Sequence, residues 1–201
     1  MDLLKELLST DFRDLDRRAL DLWLGTLAQV KPDMLARPTP CPDWTLHGLI
    51  RHQLNQDAGF AAAARGEGAR PSVWRGADLG DDPHAAAAAS ADRVTAAFAA
   101  AGPRDEFHLP EIGDGTAVPA SLAIGFHLVD AVVHAWDAAV TIGVPWEPDA
   151  ELVEASLRVA AIVPEDGRTP GEAFAPPVPA AAGAGPRDRL LALLGRSPAW
   201  R

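Results

Sequence analysis

The segment GFHLVDAVVHAWDAA, residues 125–139, constrains the fold more than any other part of the chain. It is apolar enough for a protein interior, yet it contains His127, Asp130, His134 and Asp137. On a helix with about 100° per residue, the first three of these fall within roughly 60° of one another, and Asp137 extends the same face. A buried ionisable side chain needs a partner. The segment therefore predicts a core helix whose neighbours supply partners for a line of imidazoles and carboxylates.

The rest of the chain is typical of helices separated by proline- and glycine-rich breaks. Thr45 is a favourable N-cap, Asp82 followed by Pro83 is another, and Gly143 is a favourable helix stop. We predict four long helices over residues 11–35, 46–65, 83–101 and 119–142, a further helix over 148–163 and a short one over 187–196. Residues 66–81 are predicted as a loop, 104–117 as a turn or hairpin, and 164–186 as an irregular strap.

These elements indicate an all-α fold. Ala, Leu and Val dominate the composition and tyrosine is missing, which favours helices over sheets. Four long helices with a small appendage predict a helical bundle. We expect a single domain over residues 1–201, with its core at about 11–163 and the strap and short helix at 164–201.

Charge and cysteine usage exclude several classes of function. The net charge of -10 disfavours binding to nucleic acid, and no polybasic patch suggests a membrane surface. The first residues, MDLLKELLSTDFRDL, do not resemble a secretory signal. The sequence contains no stretch of about eighteen consecutive apolar residues, so it predicts no membrane-spanning helix. Cys41 is the single cysteine, which fits a reducing cytoplasm. We interpret it as a packing residue, with a reactive thiol as the alternative.

The spacing of Asp130 and His134, at i and i+4, presents two ligands to one metal ion. His52 lies beside the apolar face of the second long helix and is a third potential ligand. Two histidines and one carboxylate leave coordination positions of the metal open, which is typical of a catalytic site and not of a structural one. The alternative is that these histidines simply form hydrogen bonds in the core. Asp137 is interpreted as a structural group that either bonds a backbone group or orients a ligand histidine.

Three segments, TPCPDWTLHGLIRHQ, HLVDAVVHAWDAAVTIG and RDRLLALLGRSPAW, resemble the mycothiol-dependent maleylpyruvate isomerase family. This family belongs to the DinB-like superfamily of metal-binding four-helix bundles, and the chain resembles its short, single-domain members. The resemblance implies an up-down four-helix bundle and a divalent metal, zinc or alternatively nickel, held by His52, Asp130 and His134. The family isomerase has Glu at the position of Asp130. Asp is shorter, so a shifted ion, a bridging water or His127 as an extra ligand is expected.

The chemistry that the resemblance implies is activation of a small thiol. A free thiol has a pKa near 8.5, and coordination to a dication deprotonates it. Mycothiol is the implied co-substrate, with thiol transfer or thiol-assisted isomerisation of a small electrophile as the reaction. The larger isomerases carry an additional C-terminal domain with substrate contacts, so maleylpyruvate itself is not expected here. Hydrolysis by metal-bound water and a non-enzymatic metal-binding or sensor bundle are the alternatives.

Further residues are assigned by position. His127 lies on the same face as the ligands and is the candidate general base, with a structural role as its alternative. Gln56 and Arg51 are the candidates for contacting a polar cofactor. We expect the protein to bind a small-molecule substrate and neither nucleic acid nor a membrane. Formation of a homodimer is left open. His47, His84 and His108 are interpreted as surface or loop residues.

Overall fold

The fold is known from a computed structural model, which describes residues 3–102, 104–110, 117–163 and 174–200. Within these ranges the chain forms seven α-helices and one two-stranded antiparallel sheet. They are α1 (Leu3–Ser9), α2 (Arg13–Leu27), α3 (Leu46–Ala64), α4 (Pro83–Ala100), β1 (Glu106–His108), β2 (Ala117–Pro119), α5 (Ala120–Ile142), α6 (Ala150–Ala160) and α7 (Pro186–Leu193). The prediction of a mostly helical protein is confirmed.

The helix ends follow the predicted caps. Thr45 accepts a hydrogen bond from the backbone N–H of Gly48 at the start of α3. Asp82 caps α4 in the same way, and Gly143 ends α5 with a left-handed φ of 78°. The predicted hairpin is present, with Phe107 of β1 paired to Val118 of β2. Residues 111–116 of its turn and 164–173 of the predicted strap lie outside the described residues, whereas 174–185 form no helix or strand.

The first long helix was predicted with the wrong boundaries. Instead of one helix over residues 11–35, the chain forms α2, which begins at Arg13 and ends at Leu27, whereas α1 lies before the predicted range. Pro32 prevents the helix from continuing past Lys31, because a residue before proline avoids the α conformation. Lys31 is accordingly extended, with φ of -105° and ψ of 155°, and a short 3-10 turn follows. A second 3-10 turn, Pro71–Trp74, lies within the predicted loop, and α6 is shorter than predicted.

Helix α5 lies at the centre of the fold. It packs against α2, α3 and α6, while α4 packs against α2 and α3, and α7 packs against α6. Among the described residues it alone is long and apolar enough to span a membrane, and 89% of its apolar window is buried inside the protein. Burial among neighbouring helices accounts for this composition. The ionisable side chains of α5 therefore face other helices, as predicted.

Candidate metal centre

Three side chains from α3 and α5 converge at one point. His134 Nε2 lies 3.1 Å from Asp130 Oδ1. His52 Nε2 lies 3.8 Å from Asp130 Oδ2. One ligand atom from each residue lies within 4.8 Å of the other two. The packing of α3 on α5 thus brings together the three residues that the sequence suggested as metal ligands.

The ligand atoms of this group are buried without a hydrogen-bond partner. Within the described ranges, His52 Nε2, Asp130 Oδ2 and His134 Nε2 all lack one. An unsatisfied buried polar atom costs about 1–3 kcal/mol, so three at one point need a physical explanation. One divalent cation would satisfy all three. Two imidazoles and a carboxylate are also a common donor set for zinc, so the residues fit such an ion.

His134 is held in the orientation that a ligand needs. Its Nδ1 lies 2.9 Å from Asp137 Oδ2, at hydrogen-bonding distance. With the proton on Nδ1, the lone pair of Nε2 faces Asp130 and His52. A carboxylate behind a metal-binding histidine fixes its tautomer and increases its basicity. The predicted contact of Asp137 with a candidate ligand histidine is therefore confirmed.

The electrostatic field at this point favours positive charge. Burial lowers the pKa of His134, but the carboxylates of Asp130 and Asp137 raise it to about 9. Burial raises the pKa of Asp130, but His134 and His52 outweigh that effect and hold it well below its ordinary value. Carboxylates that favour a proton on an imidazole also favour a metal cation beside it. The field and the donor set thus point in the same direction.

A proline-rich turn before α3 forms one wall of the site. The hydroxyl of Thr39 donates to the carbonyls of Cys41 and Trp44, at 3.0 and 2.9 Å. The turn places the Trp44 ring 4.4 Å from the ring of His52 and 6.0 Å from that of His134, between centroids. The side chain of His134 is fully buried, whereas that of His52 is 15% exposed. The side chain of His52 is therefore the most exposed of the three, although its Nε2 atom is itself buried.

The C-terminal segment forms a second wall, which sequence reasoning missed. The ring of Phe174 is nearly parallel to that of His134, with centroids 6.5 Å apart. Arg196 is 3% exposed, and its guanidinium lies 5.8 Å from the centroid of Phe174. Two hydrogen bonds join Arg196 to Asp137, from Nη2 to Oδ2 at 2.8 Å and from Nε to Oδ1 at 3.2 Å. The segment from Phe174 to Arg196 thus contacts the candidate ligand His134 directly and through Asp137.

Cys41 belongs to a second cluster beside the first. Its Sγ accepts a hydrogen bond from Arg196 Nη2 at 3.0 Å and lies 3.6 Å from Asp137 Oδ2. Ligand atoms of Cys41, His134 and Asp137 also lie within 4.8 Å of one another. The guanidinium of Arg196 already supplies a positive charge to this group. Of the two candidate groups, His52, Asp130 and His134 therefore suit an added cation better, and we interpret Cys41 as a buried polar contact.

The Cys41 thiol is expected to be unreactive in the native protein. It is 2% exposed. Burial and the carboxylate of Asp137 raise its pKa well above the ordinary value, although Arg196 opposes them. Because the thiolate is the reactive form, Ellman's reagent should detect no thiol in the folded protein at pH 7. One thiol per chain should react after unfolding in guanidinium. Full reaction of the folded protein would show that the turn around Cys41 opens readily.

His127 lies in a separate buried network. Its Nδ1 lies 2.7 Å from Asp16 Oδ1 and its Nε2 lies 3.1 Å from Asp57 Oδ1. Gln53 Nε2 also donates to Asp57 Oδ1, at 2.9 Å. Both ring nitrogens of His127 are thus occupied, and the candidate metal groups of the described chain do not include it. Its environment does not match that of an extra ligand, and its role as a base stays a prediction.

The network around His127 joins three helices. Burial lowers the pKa of His127, but the carboxylates of Asp16 on α2 and Asp57 on α3 raise it to about 10. The rings of Phe60 and Phe98 lie edge-on to the imidazole, at 5.0 and 5.3 Å between centroids. Burial also raises the pKa of Asp16, and His127 opposes that effect. The contacts of both ring nitrogens with carboxylate oxygens favour an imidazolium at this position. The group therefore connects α2, α3 and α5 through buried ionic hydrogen bonds.

The two residues predicted to contact a cofactor lie on α3. Gln56 is one turn beyond His52 and is 6% exposed. Arg51 precedes His52 and is exposed. Both assignments stay predictions. The histidines interpreted as surface or loop residues, at positions 47, 84 and 108, are all exposed.

Comparison with known proteins gives two kinds of match. The family model for the mycothiol maleylpyruvate isomerase N-terminal domain matches residues 17–139. Two uncharacterized proteins of Mycobacterium tuberculosis, from strains CDC 1551 and H37Rv, are each 37% identical over 185 residues, covering 90% of this chain and 95% of theirs. No solved structure gives a significant match.

The matched range contains the site. It includes α3 and most of α5, with all three candidate ligands, and it also includes the turn that carries Trp44. The match spans more than half of the chain. On this evidence the protein belongs to the mycothiol maleylpyruvate isomerase N-terminal domain family.

Proposed function

We propose that the protein is a metal-dependent enzyme that uses a small thiol of the mycothiol type. His52, Asp130 and His134 hold a divalent cation, for which zinc is the first candidate and nickel the second. The reaction is thiol transfer to a small electrophile or its thiol-assisted isomerisation. The observation that carries this proposal is the convergence of three buried ligand atoms that contact one another but make no hydrogen bond. Family membership suggests the thiol.

When bound, a divalent cation supplies the positive charge that lowers the pKa of a thiol or water beside it. The residues of the chain prepare the site for that charge. Asp137 orients the His134 imidazole through a hydrogen bond. The rings of Trp44 and Phe174 lie beside those of His52 and His134 and give the site apolar walls. The partly exposed side chains of His52 and Asp130 mark the side from which a co-substrate approaches.

The proposal extends to the surroundings of the site. Gln56 and Arg51, on the turns of α3 next to His52, are the proposed contacts for the polar part of the thiol co-substrate. For His127 a role as base stays a prediction, and a structural role is its alternative, which the carboxylates at both ring nitrogens favour. The protein is placed in the cytoplasm as a DinB-like four-helix bundle, and an acidic surface makes a small molecule a better partner than nucleic acid.

An assay with two nucleophiles tests this function. Zinc-loaded protein, purified without a histidine tag, is incubated with mycothiol and an aryl halide, an epoxide or an activated alkene, and thiol consumption is followed. Ester hydrolysis is measured in parallel without thiol. We expect turnover only with the thiol, and its loss in His52→Ala because a ligand is missing. His84→Ala, which changes an exposed histidine on α4, is the matched control.

The same assay distinguishes the alternatives. Ester hydrolysis without thiol would contradict thiol dependence and would identify water as the nucleophile. A protein that binds zinc and turns over neither class of substrate would be a metal-binding or sensor bundle. Loss of the fold in His52→Ala would indicate a structural metal, whereas loss of the metal with the fold retained supports an open site.

A further inference from the structure

We propose that Arg196 is a positioning residue for the metal site, acting on His134 through Asp137. The inference rests on the proposed function, since it assumes that His134 binds a cation. It assigns to the C-terminal segment a role in setting metal affinity. Arg196 comes after α7, outside the residues 17–139 that match the family model.

The first step of the argument is the geometry of the arginine–carboxylate pair. Arg196 approaches Asp137 with two nitrogens, one for each carboxylate oxygen, at 2.8 and 3.2 Å. A paired contact of this kind fixes the plane of the carboxylate, which a single hydrogen bond does not. Arg196 is itself held in place, because its Nη1 donates to the carbonyl of Leu194 at 2.9 Å and its backbone N–H donates to that of Leu191 at 2.8 Å.

The second step is the oxygen that the two contacts share. Oδ2 of Asp137 lies 2.8 Å from Arg196 Nη2 and 2.9 Å from His134 Nδ1. The position of the guanidinium thus determines where this oxygen lies, and the oxygen determines the orientation of the imidazole. Asp137 is fully buried. Arg196 provides the charge that lets its carboxylate remain in the core as an acceptor for His134.

The third step is the attachment of the segment itself. Leu190 and Leu194 are fully buried in the apolar core. Phe174, at the other end of the segment, contacts both His134 and Arg196 through its ring. The guanidinium is therefore delivered to the site by a segment that is docked at both ends. Removing the guanidinium alone should disturb His134, whereas loosening the segment elsewhere should affect mainly stability.

Metal affinity separates these two effects. Zinc binding to the full chain is measured by competition with a chromophoric chelator, and cobalt-loaded protein gives the ligand-field spectrum. Loss of a group that orients a metal ligand typically costs about 10–100-fold in metal affinity. We expect a loss of that size in Arg196→Met, with a changed cobalt spectrum. Arg196→Lys should lose less, because it keeps the charge but not the paired contact.

Leu190→Ala is the matched control, since it opens a cavity under the same segment and leaves the guanidinium in place. It should lower the melting temperature and leave zinc affinity and the cobalt spectrum unchanged. If Arg196→Met does not fold, Arg196→Lys and Leu190→Ala still give the comparison. Unchanged affinity and spectra in the arginine variants would overturn the inference, and so would an equal loss in Leu190→Ala. A wild-type protein that binds no metal would overturn the proposed function as well.

Discussion

The variant His134→Ala is expected to lose tightly bound zinc. His134 supplies a fully buried nitrogen that faces both Asp130 and His52, so its removal leaves a two-residue site open to solvent. The affinity for zinc should fall by more than the ~10–100-fold that is typical when a residue hydrogen-bonded to a metal ligand is lost. Dialysis against a weak chelator followed by elemental analysis should give about one zinc per wild-type chain and none for the variant.

Two comparisons make this result interpretable. His84→Ala removes an exposed histidine from α4 and should retain the full zinc content. Circular dichroism of the His134 variant should retain the helical spectrum, because α5 is held by α2, α3 and α6 along its length. Full zinc content in His134→Ala would contradict the assignment of this residue as a ligand.

The variant His127→Gln is expected to have the largest effect on stability. The imidazole of His127 is fully buried between the carboxylates of Asp16 and Asp57. Replacing it by a neutral amide leaves buried negative charge without its counter-charge, which typically costs about 3–5 kcal/mol. Urea unfolding of zinc-loaded protein should show a loss of this size. His84→Gln, at an exposed position of α4, should leave the unfolding free energy unchanged.

The pH dependence of the difference in unfolding free energy between wild type and His127→Gln tests whether the charge of His127 is the cause. The pKa of His127 is raised from 6.5 to about 10 in the folded protein. Its contribution to the unfolding free energy is therefore fully present below pH 6.5 and is lost as the pH rises through 10. The stability difference between wild type and His127→Gln should narrow over this window. Parallel pH profiles would contradict an ionic role for His127.

The same variant tests whether His127 is a base. A base whose main role is chemical would give a variant with normal stability, normal zinc content and no turnover. A group whose main role is structural would give a destabilised variant whose remaining folded fraction binds zinc normally. The buried ion pairs at both ring nitrogens favour the structural outcome.

Local sequence patterns were sufficient to predict much of the fold and the candidate ligands. The i and i+4 spacing of Asp130 and His134 presents both side chains to one point, whatever the rest of the fold. The ends of α3, α4 and α5 follow from short-range capping chemistry at Thr45, Asp82 and Gly143. The predicted continuation of the first long helix to residue 35 was wrong, because Pro32 makes Lys31 extended and the helix cannot pass it.

The residues of other elements that contact His127 and Asp137 of α5 were not predictable in the same way. Asp16 and Asp57 each occupy a position on an otherwise apolar face, three residues before Ala19 and Phe60 respectively. That spacing signals a buried carboxylate, but it does not identify its partner. Arg196 has no such signal, because its contact with Asp137 depends on how the C-terminal segment docks. Long-range pairing of this kind comes from packing and not from local periodicity.

A crystal structure of the purified protein, with anomalous diffraction data collected on both sides of the zinc absorption edge, tests the central claim most directly. The account predicts one zinc-specific peak per chain, within about 2.0–2.2 Å of a nitrogen of His52, a nitrogen of His134 and an oxygen of Asp130. Zinc-loaded crystals with no peak there, or with the ion bound at other side chains, would contradict it.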